Sequence, residues 1–78
     1  MKIYWDGQSK NIIGEKVRSF RNNRGWTQKQ LSEKLQLEGF EFSELTVLRI
    51  EKGLRFVPDY ELKALAKVLD VPYEALLD

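Results

Sequence analysis

Seventy-eight residues with 42% apolar and 32% charged content make one small globular domain of net charge +1, which disfavours disorder and any division into two domains. No run approaches the roughly 20 apolar residues that span a bilayer, and the opening MKIYWDGQSKN lacks the apolar core and cleavage site of a secretory signal, so no membrane is expected as a partner. With neither cysteine nor histidine, disulfides, thiolate metal sites and imidazole-dependent triads are excluded, no metal is expected, and a reducing cytoplasmic location fits.

In chain order, KIYW (Lys2–Trp5) is strand-like and closes on the turn pair Asp6-Gly7, so residues 1–11 form an arm. Ile13, Val17 and Phe20 recur at helical spacing and predict a first helix over 12–23, ended by Arg24-Gly25. Thr27 heads the second helix. Thr27-x-x-Gln30 matches a capping box, with Trp26 and Leu31 in the flanking positions of a hydrophobic staple. QLEGFEF, broken at Gly39, separates this helix from a third, for which Ser43 is the expected cap and Glu44 a first-turn anion. Val47, Ile50 and Leu54 share one face as a core stripe. Leu45 and Arg49 then fall opposite, with Leu48 and Lys52 on the flank, and Gly53 stops the helix. Pro58 or Asp59 opens a fourth helix, with Leu62, Leu65, Ala66 and Leu69 buried; VPYEALLD gives a short fifth helix with Pro72 in its first turn. The expected fold class is all-α: five helices over 12–78 behind a short arm.

Charge is unevenly divided. Residues 1–34 hold eight Lys/Arg against three acids, and residues 35–78 hold five against nine. A chain of this kind can turn a basic face to phosphate while another face repels it, although solvated helices also produce such halves by chance. Twelve carboxylates remain available for acid–base chemistry. So short a chain has little means of wrapping a pocket around a substrate, so an enzyme is not expected, nor a cofactor or small-molecule ligand.

IIGEKVRSFRNNRGWTQKQLSEKL, TVLRIEKG and DYELKALAKVLDVPYEALL, in this order and spacing, resemble the Xre/Cro-type helix-turn-helix family of phage and bacterial repressors. A helix enters the major groove only when a partner helix braces it across the phosphates. The second helix is the expected brace, with Thr27 and Gln28 offering N–H groups and an amide to a phosphate. The resemblance implies that Gln28 sits at the DNA backbone; the plainer alternative is a polar first-turn residue. It also implies a structural ion pair between Arg21 and Glu51, close to the domain interior.

Two features depart from the compact family pattern. The stretch between helices two and three is longer by about five residues, which loosens the angle between brace and reader. Phe40 and Phe42 are expected to pack it down. The reader itself presents Glu44, Leu45, Leu48 and Arg49 to the bases. Glutamate can accept from cytosine, leucine can meet a thymine methyl and arginine can grip guanine twice. A solvated charge is the alternative for Arg49, loop packing for Leu48 and an exposed protein contact for Leu45. Phosphate grip is expected from Lys16, Arg18, Thr27, Gln28, Lys29, Lys52 and Arg55, and some of the lysines serve only solubility. The arm lysines Lys2 and Lys10 can reach a neighbouring groove, while Tyr4 and Trp5 favour packing.

These features read together as a sequence-specific DNA-binding regulator, and the resemblance implies a repressor acting as a homodimer on a palindromic operator. Dimer contacts are expected from Tyr73, Leu76 and Leu77 or from the arm. Within the 78 residues no oligomerisation or ligand domain follows helix five, so a minimal regulator or a fragment is expected. The alternative is the same fold used to bind protein, as an antirepressor or antitoxin-like partner. Glu38, Glu41 and the Leu45/Leu48 surface favour that second reading.

Overall fold

The structure is a computed structural model and describes residues 9–77; the strand-like KIYW segment, with Lys2, Tyr4 and Trp5, lies outside them. Five helices follow in order: α1 (Gly14–Asn23), α2 (Gln28–Leu37), α3 (Glu44–Glu51), α4 (Asp59–Leu69) and α5 (Tyr73–Leu77). Among the described residues there is no strand, so the fold is all-α.

Helix starts follow local chemistry. The Thr27 hydroxyl accepts from the Gln30 N–H at 3.0 Å while the Gln30 side chain accepts from the Thr27 N–H at 2.8 Å, completing the capping box. Ser43 caps α3 by accepting from the Thr46 N–H at 3.1 Å. The first helix begins two residues later than its periodicity predicts, because the Asn11 side chain takes the N–H groups of Ile13 and Gly14 and closes a turn ahead of it. Gly25, at φ 71°, ends the turn after α1, as a left-handed residue past a helix does.

The core is one cluster. Val17, Leu31, Leu35, Val47, Ile50, Leu65, Leu69 and Leu76 are its fully buried members, drawn from all five helices. Leu54 was expected in this stripe and is not there: it is 56% exposed. Gly53, with φ 73°, ends α3 and swings the next residue outward. Leu62 is only half-buried, and Ala64 takes an interior place in α4 beside Leu65 and Ala66.

The second helix runs on through Leu37, so the connection to α3 is Glu38–Ser43. It is packed down. Phe42 is buried, Phe40 packs against the core cluster, and the two rings meet edge-on with centroids 6.1 Å apart. Phe40 also stacks on Tyr60 of α4 at 6.3 Å, and Lys67 of α4 holds Glu38 at 2.8 Å. The Gln36 amide donates to the Phe42 carbonyl at 2.7 Å. The extra length is thus fastened to α4 at two points and to α2 at a third.

Candidate nucleic-acid interface

Helix α3 buries Val47, Ile50 and Glu51 and turns its other side outward. At about 100° per residue, Leu45, Arg49 and Lys52 fall within an arc of roughly 60°, with Leu48 roughly 40° and Glu44 roughly 80° beyond its Lys52 edge. Glu44, Leu45, Arg49 and Lys52 are exposed, whereas Leu48 is half-buried and contributes only part of its surface. The result is a short row carrying one acid, one half-exposed leucine and two cations.

Beside it stands the start of α2. Thr27 is exposed, and its hydroxyl oxygen accepts from the Gln30 N–H, which leaves its O–H as a donor. The N–H groups of Gln28 and Lys29, at the first turn, have no partner within the helix. Gln28 is half-buried, and its amide nitrogen donates to Glu51 Oε1 at 3.1 Å. Only one of the two amide N–H bonds is used there, so the other is available to an anion.

Glu51 is the common point of three helices. Arg21 donates through Nε to Oε2 at 2.6 Å and through Nη2 to Oε1 at 3.0 Å, a bidentate pair with both side chains buried. The third Arg21 nitrogen, Nη1, donates to the Trp26 carbonyl at 2.7 Å, just ahead of α2. Every buried side-chain N or O among the described residues has a partner. Arg21, Trp26, Gln28 and Glu51 therefore lock brace to reader from the inside, alongside the packed connection between them.

Other expected contact residues are placed less uniformly. Lys16, Arg18 and Lys29 are exposed. Lys16 and Arg18, two residues apart on α1, point roughly 160° away from each other, so one face of a duplex cannot use both. Arg55 is engaged in the fold, contrary to the phosphate role expected for it. Its guanidinium is bidentate to the buried Glu61 carboxylate, donates to the Phe56 carbonyl and lies 5.3 Å from the Phe42 ring centroid. The hydrogen bond to Glu61 raises its pKa above the ordinary arginine value, against a lowering by burial, so it stays charged. Freeing it for phosphate would strand a buried carboxylate.

Of the residues expected at a dimer contact, Tyr73 and Leu77 are about half exposed, but Leu76 is completely buried in the core and cannot reach a second chain. Tyr73 and Leu77 line a shallow groove of about 490 Å³ with Tyr60, Leu62 and Lys63. Asn11, Gln36 and Glu61 were not legible as structural anchors. Each acts on backbone or charge far along the chain or in a loop, and no local spacing announces that.

A brace helix, a second helix with an outward polar row, and a buried network aligning them define a helix-turn-helix domain. Residues 12–78 match the model of a family described as a helix-turn-helix domain, and the chain belongs to that family. No curated protein and no solved structure gives a match. Among the described residues, no helix is long and apolar enough to cross a membrane.

Proposed function

We propose that the chain binds double-stranded DNA sequence-specifically as a transcriptional regulator of the Xre/Cro type, a repressor acting as a homodimer on a palindromic operator. The observation that carries this reading is the exposed row Glu44, Leu45, Arg49 and Lys52 on α3, beside the open N-terminus of α2. Arg49 is the guanine reader, Leu45 meets a thymine methyl, and Glu44 accepts from a cytosine amino group. Leu48 touches a base only with the edge of its side chain. Thr27, Gln28, Lys29 and Lys52 hold phosphates, fixing register without carrying sequence information. The protein acts by binding alone, without catalysis.

The dimer pairs the groove formed by Tyr60, Tyr73 and Leu77 with its copy. Two copies joined there would occupy half-sites about one helical turn, roughly 34–36 Å, apart.

The test is selection from a random duplex library at about 100 mM salt, where backbone attraction is partly suppressed. Enrichment of a palindrome is expected. A folded protein that enriches nothing would defeat the proposal and turn attention to protein binding, the second reading. That reading draws support from Leu45, half exposed at the centre of the row.

A further inference from the structure

We infer that Asn11 is a positioning residue for α3, setting the rotation at which the reader helix presents its outward row; the inference deepens the DNA-binding reading and rests on it. Asn11 Nδ2 donates to the carbonyls of Ile50 at 3.1 Å and Arg55 at 2.9 Å. Its Oδ1 accepts from the N–H groups of Ile13 at 3.1 Å and Gly14 at 2.9 Å. One short side chain thus ties the first turn of α1 to the last turn of α3 and to the loop behind it.

The surrounding contacts leave little play. A Cβ on Gly14 would stand 2.5 Å from the Ile50 carbonyl oxygen and 2.8 Å from that of Glu51, so α1 meets the bare backbone of α3. The Lys10 N–H donates to the Gly53 carbonyl at 2.7 Å. The Ser9 hydroxyl occupies the place beside Gly53 where a Cβ would project, 2.5 Å away. Residues 9–14 are therefore a strap laid across the end of α3.

The strap does something the Arg21–Glu51 pair cannot. That pair is made by long side chains, which tolerate some rotation of α3 about its own axis. Asn11 holds the α3 backbone directly through the Ile50 carbonyl and the loop behind it through that of Arg55, which fixes that rotation. With side-chain tips about 6 Å from the helix axis, a turn of roughly 30° moves them about 3 Å. That is close to the rise of about 3.4 Å per base pair along a strand. A small loss of rotational control therefore costs recognition while leaving attraction to phosphate intact.

Asn11→Asp separates the two ends of the side chain. It keeps an acceptor for the Ile13 and Gly14 N–H groups, and adds a charge that suits a helix start. It removes both donors to Ile50 and Arg55. Residual dipolar couplings of the folded variant are expected to show α3 rotated or averaged relative to α1 and α2. The ratio of selected-site to random-duplex affinity is expected to fall about tenfold, the scale of one mismatched base pair, with random-duplex affinity unchanged. A general loss of stability would not move that ratio in the folded protein. Couplings identical to the wild type overturn the inference whether or not the chain binds DNA, and so does an unchanged ratio beside a displaced α3. A wild type without sequence preference defeats the DNA reading instead, and the couplings alone then decide the role of Asn11. Should Asn11→Asp not fold, Asn11→Ser carries the same comparison, since its hydroxyl caps α1 but cannot span to both carbonyls.

Discussion

Arg21 and Glu51, thirty residues apart, meet as a buried bidentate pair whose carboxylate also receives the amide of Gln28. Removing one partner leaves the other charge uncompensated in the interior. Glu51→Ala is therefore expected to cost about 3–5 kcal/mol, whereas the double replacement Arg21→Met with Glu51→Leu recovers most of it. Urea denaturation of the single and double variants measures the difference.

On the DNA-binding reading proposed above, Arg49 and Lys29 divide the labour between sequence and backbone. Arg49→Ala is expected to lower discrimination at one base position by about 1–3 kcal/mol. Lys29→Ala, whose exposed side chain takes no part in the network around Glu51, should weaken selected and random duplexes alike. Titrating both variants against both duplexes separates the roles; equal losses from the two substitutions would count against this division.

Arg55 and Lys52 give a contrast of a different kind. Arg55→Ala strands the buried Glu61 carboxylate and is expected to destabilise the fold by about 1–3 kcal/mol. The salt dependence of DNA affinity should stay as in the wild type. Lys52→Ala should leave stability within about 0.5 kcal/mol and reduce the salt slope by about 1. Thermal melts and binding isotherms across a salt series provide both readings.

Gly14 faces carbonyl oxygens that cannot retreat without moving α3. Gly14→Ala is expected to destabilise by about 1–3 kcal/mol through overpacking, although alanine is the better helix former. A lower midpoint in denaturant is the expected observation, and a higher one would mean that the α1–α3 contact is looser than described.

Leu76 and Leu77, adjacent in α5, should behave oppositely. Leu76→Ala opens a core cavity at a cost of about 2–5 kcal/mol. Leu77→Glu should leave the monomer folded and abolish the proposed dimer. Sedimentation equilibrium alongside calorimetry distinguishes the two effects.

Much of this architecture was legible because its signals are local. Thr27 with Gln30, and Ser43 before Glu44, mark helix starts by chemistry acting over three residues, and Val47 and Ile50 mark a buried face by period. What escaped depends on long reach. The side chain of Leu54 matches the α3 stripe, but a positive φ at the preceding glycine removes it from that face. Leu76 and Leu77 carry the same residue type, and only packing of α5 against the bundle separates interior from surface. Arg55 looked available because its partner, Glu61, lies in the next helix and is buried. Asn11 gave no periodic signal at all, since its bonds run to carbonyls 39 and 44 residues away.

The setting of α3 is held by Arg21, Glu51, Asn11 and the packed turn, whereas its outward row bears on none of these bonds. On the DNA-binding reading proposed above, scaffold and address are thus written in separate residues. Exchanging Glu44, Leu45 and Arg49 for another set should redirect the protein to a different operator without refolding it, making the outer side of α3 an interchangeable cartridge for engineered regulators.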